Sequence, residues 1–285
     1  MRDRHFFLLF AFFLLLQPTF ATAAPLRFAP LPIYNEARIR QDYYPFTQYL
    51  ERGVQQAVEI VYRSDCQDII AGLGADEIDL ALLGPLPFAL ALKQGYNISA
   101  LVQFLNSAGQ STYTCSVGVF AANNLSMTHL KNQQIALTQP YSTCGFLMVE
   151  HLLNQHGSTL ADNQFEYSGT HSGSALQVIT GKASVCGLKT SIGKSFHSLG
   201  LDLIAESDVI PSVVLVVNQR TLSPATIASI KKHLLALQPL ENQEDALLTK
   251  KWGKLVRYGA IQTNAENYKF ITDLLHRIDI PGVTQ

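Results

Sequence analysis

Gly74-Ala75-Asp76-Glu77-Ile78-Asp79-Leu80-Ala81-Leu82-Leu83 and Gly181-Lys182-Ala183-Ser184-Val185-Cys186-Gly187-Leu188 are the two stretches on which the fold turns. In each, a glycine stops a helix and a polar turn leads into an apolar strand. Upstream of the first, Leu26 to Ala29 reads as a strand, and Tyr34 to Leu50 carries apolar residues at helical spacing until Gly53. Val58 to Tyr62 alternates as a strand, and Ser64-Asp65 caps a helix through Ile69, Ile70 and Leu73. The result is a βαβαβ unit, which makes a parallel sheet with ligands beyond the carboxyl ends of its strands. Upstream of the second stretch the same order returns. Strand Ile135 to Leu137 leads through Gln139-Pro140-Tyr141 to the cap Ser142-Thr143 and a helix through Phe146, Val149, Leu152 and Leu153, stopped by Gly157. Strand Phe165 to Ser168 and helix Ser174 to Thr180 follow. Two similar α/β lobes are expected, each a central mixed sheet flanked by helices.

Thr112 to Phe120 reads as one long strand between the lobes, and Val213 to Val217 as a second after Pro211. Two extended crossings make a two-strand hinge, which allows closure around a ligand. The first lobe then comprises residues 24–110 and 213–285, and the second 111–212. Helical patterns through Ile227, Ile230, Leu234, Leu235 and Leu237, then Trp252 to Val256 and Tyr268 to Ile278, return to cover the first lobe.

Met1-Arg2-Asp3-Arg4-His5 precedes an apolar run of 11 residues, Phe6 to Leu16, and the small residues Ala21-Thr22-Ala23. This is the layout of a secretory signal peptide over residues 1–23. The run is shorter than the roughly 20 residues a spanning helix needs, and no cysteine near Ala23 offers a lipid attachment atom. Export to the periplasm is expected. With 21 basic and 22 acidic residues scattered along the chain, the basic patch of a nucleic-acid binder is missing. Four cysteines, Cys66, Cys115, Cys144 and Cys186, form no CxxC pair, and an oxidising compartment permits bridges between them.

Several runs together resemble the periplasmic binding proteins of phosphate, phosphite and phosphonate ABC transporters, which have the type II two-lobed fold. They are Leu26-Arg27-Phe28-Ala29-Pro30, Pro45-Phe46-Thr47-Gln48-Tyr49-Leu50, Ser64-Asp65, Ile78 to Leu86 with its Gly84-Pro85-Leu86, Tyr113, and Pro140-Tyr141-Ser142-Thr143-Cys144-Gly145. The resemblance implies that the helix starting at Ser142-Thr143 receives an oxyanion. Elementary physics agrees, because a helix start presents unpaired N–H groups, here those of Cys144 and Gly145, and the positive end of its dipole. Simple helix capping is the other use for the two hydroxyls. The same resemblance implies ligand contacts at Tyr34, Cys66, Gly84, Pro85, Leu86 and Tyr113, with the Ser64-Asp65-Cys66 helix start facing the turn from the other lobe. His171, in Gly169-Thr170-His171-Ser172-Gly173, stands where the family often places a cleft histidine, whose protonation would strengthen an oxyanion contact. Lys189 stands where aminophosphonate binders tend to carry an acidic residue, which favours an anion without an amino group. Loop positions in solvent are the plainer reading of both.

For the cysteines three readings stay open: a structural bridge, with Cys144 and Cys186 as the expected pair because both lie near the same strand ends; small residues without a role; and thiol ligands, with Cys66, Cys144 and Cys186 presented to a soft partner. A thiol at a helix start has a lowered pKa. The resemblance extends to a sensor branch that detects arsenite for a histidine kinase, so the alternative to an ABC permease as partner is such a kinase. No GxSxG elbow, HExxH, P-loop or GxGxxG in its strand-to-helix setting occurs, so neither catalysis nor a cofactor is expected. The expected protein is a monomer that binds one small oxyanion.

Overall fold

The computed structural model describes residues 23–280; the expected signal peptide lies outside the described residues except for Ala23. In the first half, strands β1 (Leu26–Ala29), β2 (Val58–Ile60), β3 (Leu80–Leu83) and β4 (Ile98–Phe104) alternate with helices α1 (Glu36–Val54), α2 (Cys66–Gly74) and α3 (Pro85–Lys93). The chain then runs through β5 (Thr112–Tyr113), β6 (Cys115–Phe120), β7 (Gln134–Leu137), α4 (Met148–Gln155), β8 (Gln164–Tyr167), α5 (His171–Ile179), β9 (Val185–Lys189), α6 (Thr190–Ser195) and β10 (Leu201–Glu206). It returns through β11 (Ile210–Pro211), β12 (Val214–Asn218), α7 (Pro224–Ala236), α8 (Gln243–Thr249), β13 (Ala260–Gln262) and α9 (Lys269–Leu274).

The first sheet has the order β13-β4-β12-β3-β1-β2 and the second β10-β6-β9-β7-β8. In each, three parallel strands (β2-β1-β3 and β8-β7-β9) are followed by one antiparallel strand, β12 or β6. The expected mirror symmetry is therefore real, and each mixed sheet contains one of the two crossing segments. The long strand expected over Thr112 to Phe120 is broken at Thr114. β5 leaves both sheets and pairs antiparallel with β11, while β6 joins the second sheet. The hinge is thus a short two-stranded ribbon between two sheets.

Other boundaries move for identifiable reasons. α1 runs through Gly53 and ends at Gln55, which takes the left-handed conformation at φ 55°. Gly53 is there because α7 packs close: a Cβ at this position would lie 2.8 Å from His233 Cγ. Residues 252–256 form turns rather than the expected helix. The Trp252 carbonyl is taken by the Arg257 guanidinium at 2.7 and 3.0 Å, and the Gly253 N–H donates to the Asp42 carbonyl. α5 begins three residues earlier than expected because Thr170, not Ser174, caps it by accepting from the Gly173 N–H. Strands β4 and β10 and helix α3 carry no periodicity that singles them out in the sequence.

One face of the first sheet is covered by α1 and α7 around Phe28, Phe46, Leu80 and Trp252. On its other face a buried layer passes without interruption into the second sheet, from Leu83, Leu86 and Phe88 to Val117, Leu137, Phe146 and Val149. The C-terminal segment closes this layer from both sides. Tyr268 packs edge-on to Phe88 of α3 and donates to the Ser212 carbonyl, while Phe270 meets His151 of α4.

Candidate functional site

Two helix starts meet where the sheets face each other. α3 opens with Gly84 as cap and Pro85 in its first turn, so the Leu86 N–H has no partner within its own helix. That N–H donates to Thr143 Oγ1 at 3.0 Å, a buried hydrogen bond that joins the first sheet's helix to the second sheet's turn. A Cβ at Gly84 would lie 3.9 Å from Thr143 Oγ1, an ordinary contact distance, so the two elements are near neighbours here. On the other side a π-helical turn, Thr143–Leu147, runs directly into α4.

The two hydroxyls of the turn divide the roles left open for them. Ser142 is the cap, accepting from the Gly145 N–H at 2.9 Å. Thr143, 5% exposed, reaches across to α3 instead. The Tyr113 phenol is a near neighbour of Thr143, and burial pushes its pKa well above the ordinary value, so it stays protonated. Lys189 stands at the end of β9 with its ammonium 4.5 Å from the centre of the Tyr113 ring. Burial lowers its pKa. The Lys189 N–H donates to His171 Nδ1 at 3.2 Å. His171 is the first residue of α5, and burial followed by the Lys189 charge lowers its pKa to about 4. The expected strengthening by protonation is therefore corrected: the imidazole is neutral at physiological pH, and with Nδ1 accepting, its proton is on Nε2.

Cys66 does open α2, and Asp65 caps that helix by accepting from the Asp68 N–H at 2.9 Å. Burial, with the Asp65 charge adding to it, raises the pKa of Tyr141, the residue before Ser142. Tyr34 does not join the group. Its ring is half exposed beyond β1 and is met by the Arg38 guanidinium at 5.9 Å.

The cysteines require the main correction. The bridge is Cys115–Cys144, and Cys186 is not part of it. Side chains alternate across a strand. On β6, Cys115 shares a face with Val117 and Val119, towards α4 and the turn, whereas Cys186 on β9 points through the other face to Ala175, Val178 and Leu201. Cys144 therefore offers no thiol. Cys66 and Cys186 are buried, and burial raises both thiols to about 12. The reading of Cys66, Cys144 and Cys186 as soft-ligand thiols fails on both counts. Among the described residues no cluster of His, Cys, Asp or Glu is arranged to hold a metal ion.

Sequence reasoning missed Thr138 and Gly187. Thr138 follows β7 and carries the one buried side-chain oxygen without a hydrogen-bond partner among the described residues. Gly187 makes room for the turn, since a Cβ there would lie 3.3 Å from the Cys144 carbonyl. Neither residue has a pattern that marks it.

Known proteins share this fold. The sequence profile of the family described as "ABC transporter, phosphonate, periplasmic substrate-binding protein" matches residues 28–268. The phosphate-import protein PhnD of Mycolicibacterium smegmatis is 25% identical over 235 residues, which cover 75% of this chain and 73% of that protein. PhnD1 from Prochlorococcus marinus, solved in complex with methylphosphonate, has a TM-score of 0.74 at 17% identity over 88% of this chain and 97% of its own. A binding protein component of an ABC phosphonate transporter from Pseudomonas aeruginosa has a TM-score of 0.70 at 16% identity over 88% and 85%. At such identities the two structures speak for the fold, and the profile for the family. The chain belongs to the periplasmic substrate-binding proteins of phosphonate ABC transporters.

Proposed function

We propose that the protein captures one small oxyanion, namely phosphate, phosphite or a phosphonate without an amine, between the turn at Ser142-Thr143-Cys144-Gly145 and the start of α3, and delivers it to an ABC permease. The observation that carries this is the buried bond from the Leu86 N–H to Thr143 Oγ1. It brings a helix-start amide of one lobe and a hydroxyl of the other to one point, and both are groups that bind an oxyanion. Tyr113 supplies a second hydroxyl, Lys189 a positive charge and His171 a neutral donor at Nε2. Lys189 disfavours a ligand that carries its own ammonium group. The lobes are residues 24–110 with 213–285, and 111–212, and they close about the β5–β11 ribbon. The protein works as a periplasmic monomer after loss of residues 1–23, and it binds its ligand reversibly without turning it over. The kinase-linked alternative, a sensor of arsenite or of another thiol-reactive or sulfur oxyanion, has for its thiol-reactive form no exposed, unbridged cysteine behind it among the described residues.

Calorimetric titration of the purified protein with phosphate, phosphite and methylphosphonate, beside sulfate, arsenite and 2-aminoethylphosphonate, tests this. Saturable one-to-one binding of at least one of the first three is expected, and Thr143→Ala weakens it tenfold or more, as loss of a hydrogen bond to a charged group worth about 1.5–3 kcal/mol implies. Silence from all three overturns the proposal, and an unchanged Thr143→Ala removes the turn from the site.

A further inference from the structure

The turn that carries Ser142 and Thr143 lies across three neighbouring strands of the second sheet, in the order β6, β9 and β7, and each holds it differently. Beside β7, Thr138 presses on Gly145 so closely that a Cβ at residue 145 would stand 1.8 Å from Thr138 Oγ1, and the Thr138 N–H donates to the Gly145 carbonyl at 3.3 Å. On β9, Gly187 admits Val149 and the Cys144 carbonyl. On β6 the contact is covalent, the disulfide from Cys115 to Cys144. The first two contacts set how near the turn comes to the sheet. Only the disulfide holds one of its residues covalently to a fixed partner.

Cys115 is itself fixed from both crossing segments. It opens β6 two residues after Tyr113 of the β5–β11 ribbon. Its N–H donates to Ser207 Oγ at 3.0 Å, and its carbonyl accepts from the Ser207 N–H at 2.8 Å, with Ser207 leading from β10 towards β11. Cys144 is the residue next to Thr143. The bridge therefore ties the residue beside the interlobe hydroxyl to the point where both crossings leave the hinge.

We infer that the Cys115–Cys144 disulfide positions the anion-binding turn, holding Thr143 in register with the Leu86 N–H and linking the turn to the hinge. This rests on the proposed role of the turn. Its consequence is that the bridge governs affinity and not only stability, because without it the turn has to be ordered by the ligand at the moment of binding.

The comparison is between the oxidised wild type, the wild type reduced by dithiothreitol, and the Cys115→Ser/Cys144→Ser double variant. In the reduction the dithiol passes two electrons and two protons to the S–S bond, which opens to two thiols, while the reagent closes to a cyclic disulfide. Each form is titrated with inorganic phosphate, phosphite and methylphosphonate, well below its melting temperature and with circular dichroism confirming the fold. The expected result is a Kd raised tenfold or more in both bridge-free forms, restored by reoxidation in the wild type alone. A lowered melting temperature with Kd within twofold of the oxidised wild type makes the bridge a stabilising link only and overturns the inference. If neither bridge-free form folds, Ser207→Ala, which keeps the bridge but removes the hydroxyl holding the Cys115 N–H, carries the comparison: a Kd raised at least threefold is expected, and an unchanged one overturns it. Failure of the oxidised wild type to bind phosphate, phosphite or methylphosphonate overturns the role of the turn itself, and this inference with it.

Discussion

At the scale of single residues, burial decides the chemistry of the site against other influences that a sequence makes visible. The start of a helix stabilises a thiolate by up to about 2 kcal/mol in favourable geometry. Moving a thiol from its ordinary pKa of 9.0 to about 12 corresponds to about 4 kcal/mol in the opposite direction, and at Cys66 that larger effect wins. His171 follows the same logic. Its pKa in the folded chain, about 4, lies below the ordinary 6.5, so the unfolded chain binds the proton more readily. Stability contributed by the neutral imidazole is complete above pH 6.5 and declines as the pH falls towards 4, where the folded state also protonates. Urea denaturation of the wild type and His171→Gln between pH 7 and 4 checks this. The wild type is expected to lose stability faster over that window, and parallel curves would contradict the burial of the ring.

At the scale of elements, the ion pair of Arg27 and Asp79 locks the register of β1 against β3. The Asp79 carboxylate accepts from the Arg27 N–H at 2.7 Å, from Nε at 3.0 Å and from Nη2 at 2.7 Å. Burial alone would raise the Asp79 pKa, but the Arg27 hydrogen bonds and charge, with Thr221 contributing, together outweigh it and hold the carboxyl below its ordinary value. Asp79→Asn keeps the shape and removes the charge. It is expected to cost about 1.5–3 kcal/mol in urea denaturation, the range for hydrogen bonds to a charged group. A change below about 0.5 kcal/mol, the scale of an unremarkable surface substitution, would show that the pair only decorates the strand. Helix ends follow comparable local rules. The caps at Asn35, Asp65, Ser142 and Thr170 each accept from the N–H three residues on, as their residue types require.

At the scale of the whole molecule, the two sheets, the hinge ribbon and the C-terminal helix form a frame in which covalent and noncovalent links converge on one turn. A thiol count follows from the cysteine arrangement. With Cys115 and Cys144 bridged and Cys66 and Cys186 buried, a thiol reagent is expected to find none in the native oxidised protein and two after unfolding without reductant. Four after unfolding would remove the bridge, and any rapid native reaction would contradict the burial of Cys66 or Cys186.

The same scale separates what was legible in the sequence from what was not. The sequence by itself determined the doubled α/β order, the helix starts at Asp65 and Ser142, the crossing segments and the family, because strand alternation, caps and turn residues are local signals with local causes. The break at Thr114 and the passage of α1 through Gly53 were not legible, since each depends on a neighbour remote in sequence: β11 for the first, His233 for the second. The cysteine pairing belongs with these. Spacing along the chain leaves every pairing open, and only the pleat of the second sheet puts Cys115 on the face of Cys144 and Cys186 on the other. Likewise the sequence marks Thr143 as a hydroxyl at a helix start, where capping its own helix is the default. That it reaches instead to the Leu86 N–H is a decision of the tertiary structure, made by two sheets brought face to face with their helix starts at one point.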